Sequence, residues 1–183
     1  MPSILHFVAM RAVVDRLRGA VTTAPDARAL GWCALAYGAF LVCAVPIGLL
    51  SGVLRPGLPQ ATPAEMVAAA LIVLVHPAFV EEMIFRALLL PRHPGLMRRG
   101  RLAIVIAVAL ALYVGSHPLN AILFRPAALG LFSSPAYLTL AALLGLTCTA
   151  AYLISRSIWP AVAIHWLTVM AWLWLLGGRA LLC

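Results

Sequence analysis

At 183 residues, 64% hydrophobic and 10% charged, with a mean hydropathy of +1.06, the chain lies outside the composition of a soluble domain, where about 25% of residues are charged. Such a chain belongs in lipid. Its formal net charge of +8 comes from arginine alone, since there is no lysine.

Residues 1–21 place Ile4, Leu5, Phe7, Val8, Val13, Val14 and Leu17 among Arg11, Arg16 and Arg18, the pattern of a basic amphipathic helix at a membrane surface. Four apolar stretches then reach the roughly 20 residues that a helix needs to cross the hydrocarbon layer, and a fifth comes close. They run Leu30–Leu50, Ala64–Leu90, Leu102–Phe124, Tyr137–Ser155 and Trp159–Gly177, separated by Pro/Gly-bearing loops. No strand alternation of the barrel type occurs, and open sheet leaves backbone groups unpaired in lipid. The expectation is an all-α polytopic bundle of about five transmembrane helices, with a sixth interfacial or re-entrant segment allowed. Its organisation would be a cytoplasmic amphipathic segment over 1–29, one bundle over 30–177 and a short tail over 178–183. No internal repeat or linker divides it.

Arginine clusters before the first span (Arg11, Arg16, Arg18, Arg28) and after the second (Arg92, Arg98, Arg99, Arg101), which places both segments and the N-terminus in the cytoplasm and the C-terminus outside. Because this charge lies beside spans, where anionic lipid and topology account for it, no nucleic-acid partner is expected. Arginine without lysine fits a GC-rich bacterial genome and hence a bacterial inner membrane. Cys33, Cys43, Cys148 and Cys183 have no CxxC spacing and are read as packing residues. Trp159, Trp166, Trp172 and Trp174 are read as interface anchors or bundle packing.

Of five acidic residues, Asp15, Asp26 and Glu65 fall at or outside the membrane edge, leaving Glu81 and Glu82 within a span. A charge at mid-bilayer costs about 2.5–3.5 kcal/mol, so such groups are paired or functional. In HPAFVEEMIFRALL, Glu82 and Arg86 are four apart on one helical face in the favoured acid-before-base order, while Glu81 points about 100° away without a counter-charge. Glu81 is therefore the candidate general base. His117, in YVGSHPLN, and His165, in WPAVAIHWLTV, bring histidines from two further spans. His76, just before Pro77, is a capping or supporting residue at a bend. Span limits put His117 nearer the outer face than Glu81 and His165, so the helix is expected to break or tilt at Pro118. His6 and His93 are read as solvated or headgroup-facing.

These residues resemble the CAAX protease and bacteriocin-processing family, whose successive core helices carry EExxxR, (F/Y)xxxH and HxxxN. Glu81, Glu82 and Arg86 match the first motif, Tyr113 and His117 the second, and His165 the start of the third, over roughly residues 67–177. The third departs from the pattern, with Val169 where the family has Asn and Thr168 just before it. The resemblance implies an intramembrane endopeptidase. In it Glu81 and His117 activate water, His165 stabilises the oxyanion, Glu82 and Arg86 organise the site, and Tyr113, Thr168 and Ser116 support substrate or oxyanion. It implies a metal-free glutamic mechanism, although a Glu/His/His set is also compatible with zinc. SHPLNAILF and IWPAVAIHWLTVMAWLWLLGG look most like a bacterial branch found with JDVT-CTERM sorting signals, implying a membrane-anchored or tail-bearing protein substrate in place of a prenylated one. The sequence holds no HExxH and no aspartate in a span. The readings left to weigh are a Ser116–His165 dyad, a small proton-coupled transporter, and a non-catalytic scaffold or immunity-type protein.

Overall fold

A computed structural model describes residues 4–57 and 61–182, with side chains from Met10 onward, so the side chains of Ile4, Leu5, His6, Phe7 and Val8, and Cys183, lie outside the described residues. The described residues are helical throughout, without a strand. In chain order the main helices are α1 (Ile4–Thr22), α2 (Ala27–Ser51), α3 (Pro63–Leu88), α4 (Arg99–Phe124), α5 (Pro135–Ser155), α6 (Trp159–Leu175) and the short α7 (Gly178–Leu182), with a four-residue helix at Leu129–Phe132 and 3-10 turns at Pro94–Leu96 and Pro126–Ala128 in the loops. Helices α2 to α5 are long and apolar enough to cross a membrane; α6 is apolar but only 17 residues long. The chain is thus a multi-pass helical membrane protein, with helix limits within three residues of the expected spans.

The polar punctuation of the sequence sets these limits. Asp26 caps α2 by accepting the Ala29 N–H at 2.7 Å, and Gly52, at φ 72°, ends it in the left-handed conformation that glycine adopts without a Cβ penalty. Thr62 and Glu65 form a reciprocal capping box at α3, followed by Pro63 in the first turn. Ser134 caps α5 ahead of Pro135.

Packing inverts the soluble pattern. Leu35, Val42 and Leu49 of α2 face outward, where lipid replaces water, while the small residues Ala44, Ala141, Ala151 and Ala161 are buried. Helix association in lipid gains from close backbone approach, which small side chains allow. Helix α5 is the central post, half buried and packed on α2, α4 and α6. Cys33 and Cys148 are buried in this core and Cys43 faces outward. Helix α1 contributes to the core as well as the surface: Ala20 is buried with Leu17 and Val21 beside it, and its carbonyl accepts the Ile158 N–H at 3.0 Å. Tryptophans pin neighbouring elements, with Trp159 donating to Val21 O, Trp166 to Ala70 O and Trp172 to Val53 O at 2.8–3.0 Å. Trp174 is buried, with Arg179 over its ring.

Candidate active site

Helix α3 carries the glutamates on an irregular stretch. It bends at His76 (φ −137°, ψ 118°), just before Pro77, so that Leu74–Phe79 spans a kink between two helical segments, and after Val80–Glu82 the turn Met83–Leu88 is π-helical. Such π-helical turns concentrate at functional positions. The bend expected at Pro77 is present; of the break or tilt expected at Pro118, the break is absent, since α4 continues as one helix from Arg99 to Phe124 with Pro118 inside it. The distortion is in α3.

Glu82 is 0% exposed and Arg86 1%. Arg86 Nη1 lies 3.0 Å from Glu82 Oε1, as the spacing of four predicts, and Arg86 Nη2 donates to Gly145 O of α5 at 2.9 Å. His165, 2% exposed near the start of α6, places Nδ1 2.8 Å from the same Oε1. One carboxylate oxygen therefore joins α3 to α6, while the guanidinium joins α3 to α5.

Tyr113 of α4 is the common neighbour. Its ring lies under the Arg86 guanidinium at 4.4 Å and meets Phe85, His117 and His165 edge-on with centroids 5.3, 5.1 and 6.1 Å away. His117 is thereby brought to the same ring as His165. Its own ring is enclosed further by Tyr137 at 5.5 Å and Phe132 at 6.2 Å.

Glu81 is half-buried and points elsewhere than Glu82. It is close enough for its charge to act on Tyr113, His117 and Tyr137. Its Oε2 is shielded from the outside and has no hydrogen-bond partner among the described residues. Glu82 Oε2, Tyr113 Oη and, its ion pair with Glu82 apart, Arg86 Nη1 are likewise buried without a hydrogen-bond partner among the described residues, so this cluster concentrates unpaired polar atoms, which are rare in protein interiors.

The ring-nitrogen partners fix the chemistry of both histidines. A carbonyl and an ionised carboxylate only accept, so His117 Nδ1, 3.0 Å from Tyr113 O, and His165 Nδ1, against Glu82, both carry protons. In each neutral ring Nε2 is then a free base. When both ring nitrogens of His165 carry protons, Nε2 is a donor as well.

The remaining candidates are less engaged. Ser116 Oγ donates to Tyr113 O at 2.7 Å and has no bond to His165, so the Ser116–His165 dyad is not formed. Thr168 Oγ1 donates to Ile164 O at 2.8 Å and lies 3.3 Å from Tyr37 Oη. His76 is exposed at the bend, with no contact to the set. No three His, Cys, Asp or Glu side chains among the described residues are grouped to hold a metal ion, so the zinc reading finds no ligand set. Gly145 is a contributor that the sequence did not disclose. A Cβ there would lie 2.8 Å from both Tyr113 Cδ1 and Leu110 Cδ1, so glycine lets the ring and the Arg86-binding carbonyl coexist.

Comparison with curated proteins and with solved structures gives no match. A family model does match: that of the Rce1-like type II CAAX prenyl endopeptidases, over residues 63–171, more than half of the chain and the whole of the segment from Glu81 to His165. With that extent of match, the chain belongs to the Rce1-like type II CAAX prenyl endopeptidase family.

Proposed function

We propose that the chain is an intramembrane endopeptidase of the glutamic type, cleaving a peptide bond near the membrane in a protein substrate. The observation that carries this reading is the buried Glu82–Arg86–His165 set, with Glu81 next to it on α3 and an Oε2 that, like Glu82 Oε2, has no hydrogen-bond partner among the described residues. Glu81, assisted by His117 Nε2, takes a proton from water as it attacks the peptide carbonyl, and later returns it to the leaving amine. His165, charged and held by Glu82, donates Nε2–H to the oxyanion. Arg86 holds Glu82 in place, with Tyr113 beneath the guanidinium.

The substrate we infer is a tail-bearing membrane protein of the JDVT-CTERM type, and the compartment a bacterial inner membrane with the arginine-rich end of the bundle in the cytoplasm. A second reading, a non-catalytic scaffold, is favoured by one observation: Val169 stands where the family's Asn would assist His165. Purified protein in liposomes, given sorting-tail and prenylated CAAX peptides, separates these readings. Glu81→Gln and His117→Ala should each slow cleavage by about 10²–10⁴-fold, with the fold intact and with no effect of chelator. Wild-type protein that cuts neither peptide would leave the scaffold, and undiminished cleavage by Glu81→Gln would remove Glu81 from the chemistry.

A further inference from the structure

Away from the glutamates, a cavity of roughly 610 Å³ opens between α1 and the loop joining α3 to α4. Its charged lining is Arg16, Arg92, Arg98 and Arg101 against a single carboxylate, Asp15, with His93 alongside. Two of the arginines are structural. Arg92 lies across Gly19 of α1, donating to Thr23 Oγ1 and, at 3.4 Å, to Arg156 O, while Arg16 Nη2 donates to Leu88 O at 2.6 Å, at the C-terminal end of α3. Arg16 Nε remains buried without a partner. Arg98 and Arg101 make no side-chain hydrogen bond or ion pair among the described residues, and Asp15 makes no ion pair there. The excess of positive charge is therefore unanswered within the fold.

The pocket's position selects the anion. It sits where α3 ends and α4 begins, the level at which two helices of membrane-spanning length leave the hydrocarbon, and basic pockets at that level suit lipid headgroups. Its wall also includes Met97 and Leu96, the latter 89% exposed, an apolar rim that a free phosphate would not use and an acyl glycerol would cover. We propose that this pocket binds the phosphate of an anionic phospholipid headgroup, with Arg98 and Arg101 as free donors and the lipid's glycerol end against Leu96 and Met97. The bound lipid would bridge α1 to the α3–α4 loop, adding to the Arg16 and Arg92 clamps.

The test uses the full chain in a neutral detergent, titrated separately with dihexanoyl phosphatidylglycerol, dihexanoyl phosphatidylcholine and inorganic phosphate, with occupancy read by native mass spectrometry. Phosphatidylglycerol should bind at least tenfold more tightly than phosphatidylcholine. At about 1 kcal/mol for each arginine near the surface, Arg98→Ala and Arg101→Ala should each weaken it about fivefold. Asp15→Asn, which removes the opposing charge, should tighten it, a gain that a misfolded variant would not show. Equal binding of the two lipids, or indifference to the arginine substitutions, would overturn the proposal. Inorganic phosphate binding as tightly as phosphatidylglycerol would overturn the lipid assignment in favour of a free anion.

Discussion

Removing Arg86 isolates the contribution of the buried charges. In Arg86→Ala the Glu82 carboxylate stays fully buried but keeps only His165, and the Gly145 carbonyl loses its donor. Breaking a buried pair from one side costs about 3–5 kcal/mol, because an uncompensated charge remains. For a chain of this length, where each kcal/mol moves Tm by about 2–4 °C, the expected drop is on the order of 10 °C. The double variant Glu82→Met, Arg86→Met replaces both charges by apolar groups of similar length and should recover part of that loss, since apolar replacement of a buried pair is often neutral while the Gly145 carbonyl and His165 Nδ1 are left without partners. Thermal unfolding in mild detergent, followed by tryptophan fluorescence, supplies both numbers. A single variant within about 1 kcal/mol of wild type, or a double variant no better than the single, would show that the pair is not held as a buried ion pair.

Two further substitutions probe the surroundings. Gly145→Ala drives a Cβ to 2.8 Å from Tyr113 and Leu110, and the ring has little room to retreat between Arg86, Phe85 and His165. The overpacking should cost about 1–3 kcal/mol, partly restored by Leu110→Ala in the same chain, and unchanged thermal stability would mean that α4 moves freely against α5. Asp26→Ala removes the acceptor of the Ala29 N–H and should destabilise the start of α2 by about 1 kcal/mol. Asp26→Asn should retain most of that, and equal amide exchange at Ala29 in all three proteins would count against the cap.

The spans were legible because length and apolarity suffice to place a helix in lipid, and their limits fall at residues with capping chemistry, such as Asp26 and Thr62. The contact of Glu82 with Arg86 was legible because both lie on one helix, four residues apart. Contacts between helices were not. Nothing local announces that His165 meets Glu82 Oε1 across 83 residues, or that an unremarkable glycine in α5 supplies the carbonyl for Arg86. Of the break or tilt expected at Pro118, the break does not occur for a related reason: proline weakens a helix locally, but a helix as long as α4, packed against α5, carries one through. The core role of α1 was hidden too, because a basic amphipathic pattern does not say whether lipid or protein covers its apolar side.

The order of the site residues along the chain bears on how a charged centre enters a membrane at all. Glu82 and Arg86 emerge together on one helix and neutralise each other before any later span exists, so α3 brings a balanced pair into lipid. Gly145 follows with α5, and His165 comes last with α6 to meet a carboxylate already anchored by its arginine. Glu81 has no such companion during synthesis. The groups on which its charge acts, His117 and Tyr137, belong to α4 and α5, so the arrangement proposed for the chemistry requires those helices beside α3, and a chain halted after α3 would carry the charges without it.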